Sequence, residues 1–357
     1  MLKIATIVGA RPQFIKIASV SRRLRRDAEE VLIHTGQHYD NNLSNIFFEE
    51  LDIPHPKYNL GIGSGSHGHQ TGQMMEKIEE VLIDEKPDWV FVYGDTNSTL
   101  AGALAAGKLH IKIAHIEAGL RSYNRLMPEE INRVLTDHIS DLLFCPSDVA
   151  VSNLSKEGIT EGVINVGDVM VDSLLFASKK AKESSNIEQA YGVMPGEYLL
   201  ATLHRAENTD VSHRLSNILE AFSAIGTPIL FPMHPRTRKA ISEFGFDEKL
   251  SNPLIKIIQP VGYLDMVLVE QSARMILTDS GGIQKEAYVL KVPCITLRDE
   301  TEWVETVQTG WNILVGADIH KIVDAVKNFQ EPANHPQLYG DGNAGQRIID
   351  HILNYQS

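Results

Sequence analysis

Cysteine is nearly absent: the 357-residue chain has two, Cys145 in "LLFCPS" and Cys294 in "VPCITL". That excludes a disulfide framework, and the apolar runs around both predict buried, reduced thiols. Long apolar runs are missing too, so none predicts a membrane span. The start "MLKIATIVGARP" reads as a strand entering a turn and not as a signal peptide, which predicts a cytoplasmic protein. Basic residues are the scarcer charge, 33 against 46 acids, for a net charge of −13. That balance argues against nucleic acid as the main partner. The single basic run, "SRRLRR" (21–26), reads as the solvated end of a helix ahead of an anion contact. Internal repeats and low-complexity tracts are also lacking.

What is present is a regular alternation. A chain of this length predicts two domains. Apolar, β-branched runs predict strands at 3–8, 30–35, 88–93, 111–116 and 141–145, then at 198–203, 228–233, 254–258, 274–278, 292–297 and 312–316. Helical spacing fills the gaps, so the reading is α/β: two doubly wound domains with parallel sheets covered on both faces. The boundaries fall at 1–168 and 169–342. A final helix over 343–357, with Ile348, Ile349, Ile352 and Leu353 on one stripe, is expected to cross back to the first domain.

Ligands of open α/β sheets bind beyond the carboxyl ends of the strands, and two such edges would face one cleft. The unusual polar residues gather at those ends. "GARPQFIK" offers Arg11 and Lys16 at a helix start, and "YGDTNST" offers Asp95. "HIEAGLRS" presents Glu117 and Arg121, and "MPEEINR" presents Glu130 and Arg133. In the second half "LHRAEN" supplies His204, Arg205 and Asn208, and "MHPRTR" supplies His234. "TDSGGIQKEA" carries Ser280, Gly281, Gly282 and Glu286. Each has a plain structural alternative. Asp95 and Asp279 are the kind of residue that caps helices, "HGH" (67–69) has too few companions for a metal site, and Phe47, Phe48 and Trp89 read as core. The Ser-Gly-Gly turn is not a G-x-S-x-G nucleophile elbow, so it reads as a helix mouth that holds a phosphate. Acids in one half and an anion seat in the other suit a nucleoside diphosphate sugar.

These motifs, with "HTGQHYD" (34–40), follow the order and spacing of the non-hydrolysing UDP-N-acetylglucosamine 2-epimerases, and the resemblance covers essentially the whole chain. It implies two Rossmann-like domains of the B-type glycosyltransferase architecture, no metal or nicotinamide cofactor, a homodimer, and a place in surface polysaccharide synthesis. It also implies catalytic roles for Asp95, Glu117, Glu130 and His204. UDP contacts are implied at Arg11, Lys16, His234, Ser280, Gly281, Gly282 and Glu286. Arg121, Arg133, Arg205 and Asn208 join them as candidate substrate contacts. The chain departs from the family pattern at Gln13, which replaces an acid, at "TEWVE" (301–305), and through 61–75. Those departures resemble the branch acting on UDP-2,3-diacetamido-2,3-dideoxy-glucuronate.

The chemistry expected of such residues is constrained. A C2–H without an adjacent carbonyl is not acidic, and "GARP" is not the G-x-G-x-x-G fingerprint that a ketone route through a nicotinamide would need. The alternative lets UDP leave first, so that a carboxylate removes the C2 proton to give a 2-acetamidoglucal. UDP then adds back as a second acid reprotonates C2 from the other face. Hydrolysing epimerases, B-type glycosyltransferases and non-enzymatic sensors of UDP-sugars are the rival readings.

Overall fold

A computed structural model describes residues 1–36, 50–184 and 186–355, apart from the side chains of Arg11 and Ser184. Phe47, Phe48 and the second half of "HTGQHYD" lie outside the described residues. The chain forms two compact units, Met1–Phe176 with Tyr339–Ser357, and Ala177–Leu338.

The first unit holds a seven-stranded parallel sheet in the order β3-β2-β1-β4-β5-β6-β7. Its strands are β1 (Lys3–Val8), β2 (Glu29–His34), β3 (Tyr58–Asn59), β4 (Trp89–Tyr93), β5 (Lys112–Ile116), β6 (Leu142–Cys145) and β7 (Val163–Asn165). The second holds a six-stranded parallel sheet in the order β10-β9-β8-β11-β12-β13. There the strands are β8 (Leu199–Thr202), β9 (Ile229–Pro232), β10 (Ile255–Ile258), β11 (Met275–Thr278), β12 (Cys294–Thr296) and β13 (Asn312–Leu314). All eleven strands expected from the sequence are present. The sequence reading missed β3 and β7, short strands at the two edges of the first sheet.

In both units the first strand sits mid-sheet and the order reverses beside it, the doubly wound arrangement. Strand β8 shows why its sequence reads as an unbroken apolar run. Leu199 and Ala201 join one buried cluster with Phe222 and Phe231, while Leu200 joins the other with Ile276 and Cys294. Each fully buried Leu or Phe contributes about 1.5–3 kcal/mol of transfer free energy. Both faces are therefore needed, and both are covered by helices. Cys145 and Cys294 are free and buried, and burial pushes both thiols up to about 12.

The last helix, Ala344–Leu353, packs on the helix Arg11–Asp27 within the first unit. Its first two N–H groups donate to Asp172, from Ala344 at 3.0 Å and Gly345 at 2.9 Å, so a buried carboxylate caps it. Ile348, Ile349 and Ile352 are buried. Leu353, expected on the same stripe, is 42% exposed.

Candidate active site

At the carboxyl edge of the first sheet, the turn after β1 is closed by a buried Gln13. Its Oε1 accepts from the N–H groups of Gly9 (2.8 Å) and Ala10 (3.0 Å), and its Nε2 donates to the Tyr93 carbonyl (2.8 Å) and Thr99 (3.1 Å). An ionised carboxylate at this position would accept the first pair but offer nothing to the carbonyl. The departure at Gln13 thus ties the β1 turn to the end of β4. Arg11 begins the following helix, with its side chain outside the described residues.

Asp95 and Glu117 stand at neighbouring strand ends. Thr96, not Asp95, caps the helix Asn97–Lys108 through the Thr99 N–H. Asp95 is thereby left to pair with Arg133. Glu117 has a φ of 75°, a left-handed conformation unusual for a residue with a side chain. Its Oε2 pairs with Lys16 Nζ. A Cβ at Gly94 (φ 64°) would lie 2.9 Å from that nitrogen and 3.0 Å from that oxygen, so the glycine makes the space for the pair. Burial pulls the Lys16 amine down, but Glu117 and Asp95 outweigh it and the pKa is raised.

Glu130 is 3% exposed and accepts four hydrogen bonds. It accepts from the N–H groups of Ser122 (2.9 Å) and Tyr123 (2.8 Å), from the Ser122 hydroxyl (3.0 Å), and from Arg133 (3.0 Å). Burial would raise its pKa, but these donors hold it below the usual value. Arg133 consequently bridges Glu130 and Asp95. Asn132 donates to the Asp95 carbonyl at 2.9 Å and to Asn97 at 3.2 Å, and Asn97 reaches His67 at 3.2 Å. His67, the first histidine of "HGH", therefore belongs to this polar chain. Among the described residues no cluster of three or more His, Cys, Asp or Glu side chains forms a metal site.

Arg121 does not join the group. It donates to Asp137 at 2.6 Å and twice to Glu157 at 2.7 Å, bonds that brace its loop. Asp137 also meets His115 Nδ1 at 2.6 Å, and His115 Nε2 lies 2.7 Å from the Gly94 carbonyl. This buried relay under the Gly94 turn escaped the sequence reading. A histidine inside the apolar run "IKIAHI" was its only signal.

The second unit's edge is built differently. Ser280 caps the helix Gly281–Val289. The fully buried Asp279 instead gathers the "HRAEN" turn, accepting from the N–H groups of His204 (3.1 Å) and Arg205 (2.9 Å) and from Asn208 Nδ2 (3.2 Å). Asn208 also donates to the Leu297 carbonyl at 2.9 Å and accepts from Arg214 at 3.1 Å. The His204 and His234 rings lie 5.7 Å apart. Burial lowers the His204 pKa against the pull of Asp279, with His234 and Arg205 reinforcing the fall. His234 Nδ1 accepts the Arg236 N–H at 3.1 Å, which leaves Nε2 as the donor.

Gly281 stands bare at the helix mouth, where a Cβ would come within 2.0 Å of Glu302 Oε1. Arg298 holds that carboxylate at 2.8 Å, and Arg205 lies 4.0 Å from it. Further along the helix, burial lifts the Glu286 carboxyl to about 7 against the neighbouring Lys285. Lys285 itself rests over the Trp303 ring at 4.8 Å, which accounts for that departure as a stacking partner.

Known proteins match this chain over nearly its full length. The chain is 58% identical over 357 residues to a UDP-N-acetylglucosamine 2-epimerase homolog of Methanococcus maripaludis, covering 99% of this chain and 100% of the other. It is 51% identical to the UDP-2,3-diacetamido-2,3-dideoxy-D-glucuronate 2-epimerase of Pseudomonas aeruginosa, covering 98% and 99%. The crystal structure of Methanocaldococcus jannaschii UDP-GlcNAc 2-epimerase in complex with UDP-GlcNAc and UDP matches with a TM-score of 0.84 at 51% identity, over 99% and 100% of the two chains. With residues 22–353 matching the family as well, the chain belongs to the UDP-N-acetylglucosamine 2-epimerase family.

Proposed function

We propose that this protein inverts C2 of a UDP-N-acetylhexosamine without net hydrolysis, interconverting UDP-GlcNAc and UDP-ManNAc. The observation that carries the reading is the pair of carboxylates at adjacent strand ends, Asp95 and Glu117, each paired with its own cation. Elimination and re-addition requires one group to take the C2 proton and another to return one from the opposite face. Two preset acids meet that need; a glycosyltransferase needs one base, and a sensor needs none. Glu130, which accepts from both, holds Arg133 and the Ser122–Tyr123 turn in place.

The second unit binds the leaving group. The free N–H groups at Gly281 and Gly282 and the positive end of their helix stabilise the departing diphosphate, with His204 donating to it. For this the Glu302 carboxylate turns away from the mouth, and Arg205 and Arg298 are beside it to receive it. Glu286 accepts from the ribose hydroxyls. As the C1–O bond breaks, its electron pair leaves with UDP; the C2 proton passes to a carboxylate and the C1–C2 double bond forms. On re-addition UDP attacks C1, the double-bond electrons take a proton at C2, and the second carboxyl group delivers that proton from the opposite face, which inverts the centre.

The relatives act on two different sugars by name, so the substrate is assigned by competition. The protein is incubated with UDP-GlcNAc and with UDP-2,3-diacetamido-2,3-dideoxy-glucuronate in parallel, and both are followed by proton and phosphorus NMR. The reading expects the C2 epimer of UDP-GlcNAc with constant total UDP-sugar. Turnover of the diacetamido sugar alone transfers the same reaction to that substrate. Stoichiometric accumulation of UDP and free sugar contradicts the non-hydrolysing reading.

A further inference from the structure

The basic run "SRRLRR" has no part in the site above. It forms the last turns of the helix Arg11–Asp27, and Arg22, Arg23 and Arg26 line a cavity of about 480 Å³ within the first unit. The other walls include Asp172 and Phe176 from the helix Val169–Ser184, and Gly342 from the returning C-terminal segment. Arg22 lies six residues beyond Lys16, roughly 9 Å further along the helix axis.

The cations here are unequally satisfied. Arg23 donates to Asp172 at 3.0 Å and to the Ser19 carbonyl at 3.2 Å. Asp172 is already shared with two backbone N–H groups of the last helix. Arg25 turns elsewhere, to the carbonyls of Ser21 and Asp52. Arg22 sits over the Phe176 ring, its guanidinium carbon 3.3 Å from the ring centroid, and among the described residues its buried Nη1 has no hydrogen-bond partner. Burial brings the Arg22 pKa down to about 10, and the charges of Arg23 and Arg25 act in the same direction against Asp52 and Asp172. Arg26 is exposed, and among the described residues no acid pairs with it.

A guanidinium stacked on a ring keeps its in-plane donors aimed outward, the geometry that receives a phosphate edge. We infer that this cavity is a second anion site, separate from the diphosphate seat, which binds a phosphate dianion, free or as a phosphate ester, between Arg22 and Arg26. A solvated helix end would leave Arg22 in water with its donors hydrated; here one is buried and unmatched inside a concave, net positive wall. Bound there, a dianion joins the first unit's opening helix to the two segments through which the chain leaves and re-enters that unit.

The test is thermal unfolding of the whole protein titrated with inorganic phosphate at ionic strength held constant with chloride, with glucose 6-phosphate as the ester arm. A saturable rise in Tm is expected for the wild type. Arg22→Gln with Arg26→Gln is expected to shift its midpoint upward about tenfold or more, the loss of at least one charge-assisted hydrogen bond. Arg26→Gln alone, at an exposed position, is expected to move the midpoint the same way. Phosphate bound only at the Gly281 mouth would survive both variants, so equal midpoints in wild type and variants overturn the inference. So does a wild-type response no greater than that to chloride. A tighter midpoint for the ester identifies a phosphorylated metabolite as the occupant, and equal midpoints identify free phosphate.

Discussion

The carboxyl edges of the two sheets differ in where their charges are spent. In the first unit Asp95 and Glu117 point into the site and each meets a cation. In the second the equivalent acid, Asp279, is fully buried and folds the "HRAEN" turn, leaving bare backbone donors and histidines at the surface. Both strand ends read Asp followed by a hydroxyl residue, and in both the hydroxyl caps the helix. The same local sequence device thus frees an acid for chemistry in one unit and for architecture in the other. On the proposed reading the first edge moves protons and the second holds UDP.

The sharpest way to break that contrast is to neutralise the acids. Asp95→Asn and Glu117→Gln are expected to lower kcat by roughly 10²–10⁴, the usual worth of a general acid or base. UDP affinity by calorimetry should stay near wild type. Comparable losses of affinity would move these residues into binding.

Gln13→Glu asks whether the first edge depends on its scaffold. The new carboxylate cannot donate to the Tyr93 carbonyl, a buried loss of about 1–3 kcal/mol. Urea unfolding should show that loss at neutral pH and a smaller one in acid, where the protonated carboxyl can donate again.

On the second edge, Gly281→Ala pushes a methyl toward Glu302 at the helix mouth. UDP affinity is expected to fall about tenfold, the equivalent of one charged hydrogen bond. Turnover at saturating substrate should change much less.

The smallest effect is a pH profile. Glu286 has a pKa raised by burial to about 7 and is proposed to bind the ribose as a carboxylate. Bonds to the charged form favour it, so UDP-GlcNAc affinity should rise as pH rises through 7, a window in which the sugar's diphosphate stays fully ionised. Glu286→Gln should flatten that profile. A slope that persists in the variant would assign the titration to another group.

Much of this was legible in the sequence, for physical reasons. Strands buried on both faces need unbroken apolar runs, so β1, β4 and β8 announce themselves, whereas β3 and β7, of two and three residues at sheet edges, offer no run to read. The helix mouth at Ser280–Gly282 was visible because its chemistry is local. The ion pairs of Arg121 were not legible because its acids, Asp137 and Glu157, lie 16 and 36 residues away. The bonds of Asn208 to Asp279 and Leu297 were hidden for the same reason. A motif shows which side chains stand at a strand end; which of them are already taken is decided by partners distant in sequence.

The central claim, that C2 loses and regains a proton at the first unit's carboxylates, is tested most directly by turnover in D₂O. The account predicts one deuterium at C2 in both recovered UDP-sugar epimers, with none at the other carbon positions. Epimer formed with its original C2 hydrogen would contradict it.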